Sequence, residues 1–378
     1  MVLPPSARVL HRLEAALDGT GPAICILSPA LPAPALDLIL DALAPTAVET
    51  SAGTARRDSG LPTDAAVLVA TSGSTGRPKI VELSGEALIR SAGATLQRIG
   101  AAPGDRWLCC LPTDHIAGLQ VLTRSIVAGS EPVIHERFSA DAAVSSGVQH
   151  ISVVPTQLRR MLGHDLSVFS SILLGGANAP PDLLAAAQAA GGRVRTTYGM
   201  SETCGGCVYD GVPLDGVSAR VGDDGRIRFA GPVLFDGYRL RPDLTAAARD
   251  GDWFITGDLG DTDDGLLRLR GRVDDLINTG GEKVLAAEVE QALRAHPAVA
   301  DAVVVGRPDP EWGEIVTAVI VGTARLDELR DHVRATLPAH AAPHAIERVA
   351  QIPMLSSGKP DRERLRQPFW QVSADVGP

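Results

Sequence analysis

Up to about residue 200, hydrophobic positions in the 378-residue chain alternate between two textures. Apolar runs of strand length fall at Ala23 to Leu27, Ala65 to Ala70, Trp107 to Leu111, Glu131 to Ile134, His150 to Val154, Ser171 to Leu174 and Val194 to Thr197. Between several of them lie alanine- and leucine-rich stretches with helical spacing. Ser84 to Ile99 carries Leu88, Ala92, Leu96 and Ile99 along one side, and Thr156 to Leu162 and Pro181 to Ala190 read as further helices. This alternation predicts an α/β fold with a doubly wound, largely parallel sheet. From about Gly216 to Leu269 the pattern shortens. Asp-Gly pairs at Asp224-Gly225, Asp236-Gly237 and Asp264-Gly265 predict hairpins and a small barrel-like β region.

A second unit begins near Gly271. Ala286, Val289, Glu290 and Leu293 have helical spacing stopped by Pro297, and Leu326, Leu329, Val333 and Leu337 form another stripe closed by Pro338. Ala302 to Val305 and Ile315 to Val321 read as strands, so this part is a small α+β domain. The expected division is 1–273 and 274–378.

Composition changes this picture little. At 45% hydrophobic residues the chain has ample material for two cores. A net charge of -10 without a long basic run argues against nucleic acid as partner, so an anionic substrate needs a local pocket. The five cysteines, Cys25, Cys109, Cys110, Cys204 and Cys207, lack regular spacing and fit a reducing compartment. Cys204 and Cys207 have the spacing of a redox or half-zinc site, but no second such pair follows. No signal peptide is read, since Glu14 and Asp18 interrupt the only early apolar stretch, and no run is long enough to span a bilayer. A soluble cytoplasmic protein is the expectation.

The strongest chemical signal is Thr71-Ser72-Gly73-Ser74-Thr75-Gly76-Arg77-Pro78-Lys79. Its hydroxyls, glycines and lysine suit a loop that wraps phosphate oxygens. Walker A spacing is excluded, because only two residues separate Gly73 from Gly76 and Pro78 precedes the lysine. A flexible surface connection has the same composition. Tyr198-Gly199-Met200-Ser201-Glu202-Thr203 follows a predicted strand, where open α/β sheets bind ligands. There Tyr198 is suited to stack on a purine, Glu202 to hold magnesium bridging phosphates, and Thr203 to donate to an acyl or phosphate oxygen. Gly175-Gly176-Ala177 allows a flat ring close to the backbone, and Asp258 in Thr256-Gly257-Asp258 is suited to a ribose diol. Each of these also reads as an ordinary turn.

The order of these segments is more telling than any one. TSGSTGRPK, PTDHIAG, GGA, YGMSET, TGD, GRVDD with the pair Gly280-Gly281, and PMLSSGK ending at Lys359 together resemble the adenylate-forming superfamily of acyl-CoA synthetases, adenylation domains and luciferases. The resemblance covers about residues 65 to 366. It implies a large N-terminal domain, a small mobile C-terminal domain hinged near Asp274, and ATP, magnesium and coenzyme A as cosubstrates and cofactor. On the family's pattern Thr71 to Gly76 and Lys79 would grip the β- and γ-phosphates and Glu202 the metal. Gly175 to Ala177 and Tyr198 would frame the adenine, with Gly199, Met200 and Ser201 also at the nucleotide and Asp258 and Arg272 at the ribose. Lys359 would bridge the carboxylate and the α-phosphate, and Gly280-Gly281 would leave room for pantetheine.

His115 to Ser125, with YGMSET and the following CGGCVY, is similar to the o-succinylbenzoate-CoA ligases of menaquinone biosynthesis, particularly their short actinobacterial type. That resemblance implies a small aromatic carboxylate substrate. It puts His115, Gly199 and Thr203 at the acyl pocket and makes Arg124 a candidate for the second carboxylate. A structural histidine and an arginine paired with a nearby acid are the plainer readings of His115 and Arg124. About seventy residues precede the phosphate loop, fewer than is usual in the family. Alternatives are another aryl- or acyl-CoA ligase, an adenylation enzyme loading a carrier protein, an inactive nucleotide-binding regulator and, outside the superfamily, a phosphotransferase. A homo-oligomer is a further expectation for the partner.

Overall fold

The structure, a computed structural model, describes residues 1–71, 78–177, 179–354 and 360–367. The chain divides into two compact units, the first of Met1–Arg220, Arg228–Thr256 and Asp263–Leu267, the second of Val221–Ile227, Gly257–Thr262 and Arg268–Pro378.

The first unit is organised by a seven-stranded sheet in the order Val212–Pro213, Gly205–Tyr209, Val194–Met200, Ser171–Leu174, His150–Val153, Trp107–Cys109 and Val133–Ile134. The last five strands run parallel, and the first two turn back antiparallel at one edge. Strands buried on both faces read as unbroken apolar runs, which is why Ser171-Ile-Leu-Leu174 was legible to the residue. On one face Leu108, Ile151, Val153, Ile172 and Leu174 pack with Leu158 and Met161 of the helix Pro155–Met161 and Leu183 and Ala187 of the helix Pro181–Ala189. The helices Gly85–Ile99 and Ile116–Ala128 pack on each other, and the second is buried continuously from Gly118 to Ser125.

A four-stranded sheet in the order Ile24–Cys25, Val67–Thr71, Lys79–Leu83 and Gly237–Tyr238 departs from the expected parallel pattern. Only its first pairing is parallel; the other two are antiparallel. A connection as short as residues 72–77 can only return the chain antiparallel, since parallel neighbours need a crossover. The phosphate loop therefore joins two strands of a hairpin, and the strand Lys79–Leu83 intervenes before the helix Gly85–Ile99. Asp236-Gly237 is likewise not a hairpin turn: Gly237 pairs with Glu82 inside this sheet. Asp264-Gly265 does turn a hairpin, with φ values of 50° and 77°.

The region read as barrel-like forms a sheet in the order Ser218–Val221, Arg226–Ala230, Trp253–Asp263 and Arg249–Asp250, with Leu266–Arg272 pairing with Trp253–Asp263.

In the second unit the strands Glu282–Leu285, Leu276–Thr279, Gly313–Gly322 and Val299–Asp309 lie in that order, and Ala345–Arg348 joins Gly313–Gly322 in parallel. Side chains of these strands alternate between two apolar layers. Ala302, Val304, Val316, Ala318 and Ile320 meet Val289 and Leu293 of the helix Ala286–Arg294 and Leu329 and Val333 of the helix Leu326–Arg334, while Val303, Val305 and Val319 meet Ile352 and Leu365. Two covered faces explain the uninterrupted valines. This is the small α+β domain the sequence predicts.

Candidate active site

Thr71 and Lys79 face each other across the hairpin, and the Thr71 hydroxyl donates to the Lys79 carbonyl at 3.1 Å. This bond closes the base of the loop. Ser72, Gly73, Ser74, Thr75 and Gly76 lie outside the described residues. The Lys79 ammonium stands over the Tyr238 ring, 5.6 Å from its centroid.

Gly175 to Ala177 and Tyr198 to Thr203 lie at the carboxyl ends of neighbouring parallel strands, the position where open sheets bind ligands. Gly175 allows its neighbour to approach: a Cβ there would stand 2.4 Å from Thr197 Oγ1. Gly199 is still more constrained, because a Cβ would fall 2.0 Å from the Gly205 carbonyl oxygen. The strand extends through Met200, three residues beyond the predicted end, with an irregular register between Tyr198 and Gly199. Tyr198 is half-buried, its ring tilted against Phe229 at 5.9 Å.

A short 3-10 turn, Ser201–Thr203, then presents Glu202. Thr203 holds this turn together. Its hydroxyl accepts from the Met200 N–H at 2.9 Å and faces the Gly205 carbonyl at 2.8 Å, and its side chain is fully buried. Glu202 is clasped twice: the Phe235 N–H donates to its carbonyl at 2.9 Å, and the Tyr238 hydroxyl donates to Oε1 at 2.8 Å. Burial, then the Glu202 charge, push the Tyr238 phenol far above its usual range, so it stays a donor.

His115 is half-buried and precedes the helix Ile116–Ala128 without capping it through its side chain. Arg124, on that helix, is buried among uncharged partners. Its Nη2 donates to Ser152 Oγ at 3.0 Å, the guanidinium stacks 4.3 Å from the Trp107 ring centroid, and Tyr209 interacts with it. Its Nε is buried with no partner, and no carboxylate pairs with it among the described residues, which removes the reading of a plain helix ion pair. The Trp107 ring also borders His150, 4.9 Å between centroids, and His150 is held by Ser171 and Asp105.

In the second unit Asp258 and Arg272, expected separately at the ribose, form an ion pair with Nη1 to Oδ1 at 2.7 Å. Gly257 makes space for it, since a Cβ would stand 2.9 Å from Arg272 Nη2. Burial works against the Arg272 charge, but Asp258, Asp274 and Asp275 outweigh it and raise its pKa. Gly280 and Gly281, with φ of 60° and 85°, make the two-residue turn between Leu276–Thr279 and Glu282–Leu285, a geometry that itself calls for glycine. Lys359 lies outside the described residues.

Sequence reasoning passed over Tyr238, although it is one of only three tyrosines in the chain. The cysteine pair carries no reactive thiol: burial pushes Cys207 up to about 12 and Cys204 higher still. Among the described residues no group of three or more His, Cys, Asp or Glu could hold a metal ion. Glu202 nonetheless suits magnesium shared with a nucleotide, which is commonly held by one or two carboxylates plus phosphate oxygens.

A family model for AMP-binding enzymes matches residues 7–239, and one for the AMP-binding enzyme C-terminal domain matches 288–359. The chain belongs to the AMP-binding enzyme family, a class of AMP-forming acid-thiol ligases and their relatives. It is 42% identical to a probable 2-succinylbenzoate-CoA ligase of Mycobacterium tuberculosis over 96% of each chain. With 2-succinylbenzoate-CoA ligase of Bacillus velezensis it shares 38% over 80% of this chain and 69% of the other. Among solved structures it resembles o-succinylbenzoate CoA synthetase from Bacillus subtilis in complex with the acyl-adenylate intermediate, with a TM-score of 0.84 and 29% identity, covering 97% of this chain and 87% of that one. ATP-bound MatB from Rhodopseudomonas palustris is also similar, with a TM-score of 0.86, 25% identity and coverage of 97% and 88%.

Proposed function

We propose that the protein is an o-succinylbenzoate-CoA ligase of menaquinone biosynthesis, joining a small aromatic carboxylate to coenzyme A with cleavage of ATP to AMP and pyrophosphate. Its likeness along almost the whole length to a relative of that name carries the reading. In the first half-reaction a carboxylate oxygen attacks the α-phosphorus, the bond to the β-phosphate oxygen breaks, and pyrophosphate leaves. In the second, the thiol of coenzyme A loses its proton, sulfur attacks the acyl carbon, and AMP leaves.

The first step brings an anion onto a highly anionic nucleotide, so positive charge and N–H donors must offset repulsion. Lys79 and the loop 71–76 are assigned to the leaving phosphates, Glu202 to the magnesium that neutralises them, and Lys359 to the α-phosphate. Gly175 to Ala177 and Tyr198 take the adenine, with Met200 and Ser201 also at the nucleotide, and Asp258 and Arg272 the ribose. Thr203 acts by fixing the turn that carries Glu202, which its buried hydroxyl supports. His115 and Gly199 line the acyl pocket, and Arg124 balances the substrate's second carboxylate. The small domain turns about Asp274 between half-reactions and brings Gly280-Gly281 to the pantetheine. The cytoplasm is the proposed site of action; among the described residues no helix is long and apolar enough to cross a membrane.

The test is a panel of carboxylates with ATP, magnesium and coenzyme A, read by AMP release and thioester mass. Turnover of o-succinylbenzoate is expected. Turnover of benzoate with none of o-succinylbenzoate overturns the substrate, and ADP in place of AMP overturns the reaction.

A further inference from the structure

The Tyr238 side chain touches two groups assigned to the phosphates and metal, and it lies outside the segments quoted from the sequence. Its position is set by long-range pairing. Tyr238 lies opposite Val81 in the antiparallel pair with Lys79–Leu83, so Lys79, two residues from Val81 on the same face, is its diagonal neighbour. That register brings the Lys79 ammonium over the ring at 5.6 Å. The Tyr238 N–H donates to Thr245 Oγ1 at 2.9 Å and the ring packs on Phe235 at 5.0 Å, so the side chain, only 8% exposed, is fixed from several directions.

From this fixed point the hydroxyl donates to Glu202 Oε1 at 2.8 Å. The same segment holds the Glu202 backbone through the Phe235 N–H. Among the described residues the other carboxylate oxygen, Oε2, has no hydrogen bond. A half-buried glutamate on a one-turn helix would otherwise sample several rotamers, and ordering it at the moment of metal binding costs free energy. One oxygen tied to the Tyr238 hydroxyl leaves the other oriented for a cation.

We propose that Tyr238 is the positioning residue of the metal site. Its hydroxyl presets the Glu202 carboxylate for magnesium, and its ring face steadies Lys79 at the end of the phosphate loop. The inference rests on the proposed function, in which Glu202 takes the metal, and adds a residue that itself touches neither metal nor substrate.

Tyr238→Phe keeps the ring beneath Lys79 and removes only the hydroxyl. Mn2+ replaces magnesium as probe, and its binding to the full chain with ATP is followed by electron paramagnetic resonance. Loss of a partner behind a metal ligand typically weakens the metal about tenfold, and that is the expected rise in the Mn2+ dissociation constant. In a Glu202→Gln background the same substitution should change Mn2+ affinity no further, because its effect passes through the carboxylate. Thioester formation from preformed acyl-adenylate, which has released its pyrophosphate, should be unchanged. Unaltered Mn2+ affinity in Tyr238→Phe, or an equal loss with and without Glu202, overturns the positioning role. A wild-type chain whose Mn2+–ATP binding is indifferent to Glu202→Gln overturns the metal assignment itself, and that result is read without Tyr238.

Discussion

Arg272 Nη1 donates to Asp258 Oδ1 at 2.7 Å, joining residues fourteen positions apart, with Asp258 buried and about half of the arginine side chain exposed. In the proposed function this carboxylate takes the ribose diol, and the pair would hold it in place beforehand. Hydrogen bonds to charged groups contribute roughly 1.5–3 kcal/mol, and exposure of the arginine puts this one near the lower end. Arg272→Ala is therefore expected to raise the KM for ATP about tenfold, 1.4 kcal/mol being one decade. Gly257→Ala should do the same more mildly, about threefold, because its new methyl only pushes aside the end of a flexible side chain 2.9 Å away. Steady-state kinetics at saturating carboxylate measure both, and an unchanged KM in Arg272→Ala removes the pair from the nucleotide site.

Gly199 and Gly93 make opposite predictions for the same substitution. A Cβ at Gly199 would meet a backbone oxygen at 2.0 Å, which cannot move without parting two strands. Gly199→Ala should cost at least about 3 kcal/mol of stability, at the severe end for single substitutions. Gly93 sits inside the helix Gly85–Ile99 with nothing within 4 Å of the added methyl. Gly93→Ala should stabilise by about 0.5–1 kcal/mol through helix propensity. Urea unfolding of the two variants decides it.

Arg124 is a buried cation whose neighbours are Ser152, Trp107 and Tyr209, with one N–H unpaired. If the substrate's second carboxylate balances it, Arg124→Met should raise the KM for o-succinylbenzoate by roughly 10- to 100-fold, as expected for a charge-assisted contact. The KM for a monocarboxylate substrate should hardly move. Equal loss on both acids would assign Arg124 to packing alone.

His150 supplies the pH dependence. Burial lowers its pKa below the ordinary 6.5, with Asp105 opposing that shift. The unfolded chain therefore binds a proton that the folded chain refuses, so this contribution is complete above about pH 6.5 and declines as pH falls below it. One such group gives a slope of at most about 1.4 kcal/mol per pH unit. The His150→Gln variant should lose stability more slowly between pH 6.5 and 5 than the parent in thermal melts. Identical slopes would exclude His150 as the group responsible.

How much of this was legible beforehand depended on whether the cause was local. Ser171–Leu174 and the helix Gly85–Ile99, with Ser84 capping its first turn and Gly100 its end, are written in adjacent residues. Lys79–Leu83 was missed because Lys79 and Glu82 break a five-residue run that becomes a strand only through its neighbours at Val67–Thr71 and Gly237–Tyr238. Asp236-Gly237 looked like a turn for the same reason. Asp258 and Arg272 were both expected near the ribose, but their mutual contact needs the folded sheet. Tyr238 joins Glu202 across 36 positions, and no window of sequence contains that bond.

Isotope transfer tests the central claim most directly. The enzyme is given o-succinylbenzoate labelled with oxygen-18 in its carboxylates, together with ATP, magnesium and coenzyme A, and the products are weighed by mass spectrometry. Attack of the carboxylate on the α-phosphorus followed by thiol displacement predicts one labelled oxygen in AMP, none in pyrophosphate, and a thioester that has lost that oxygen. Label in pyrophosphate or inorganic phosphate, or unlabelled AMP beside a formed thioester, would contradict it.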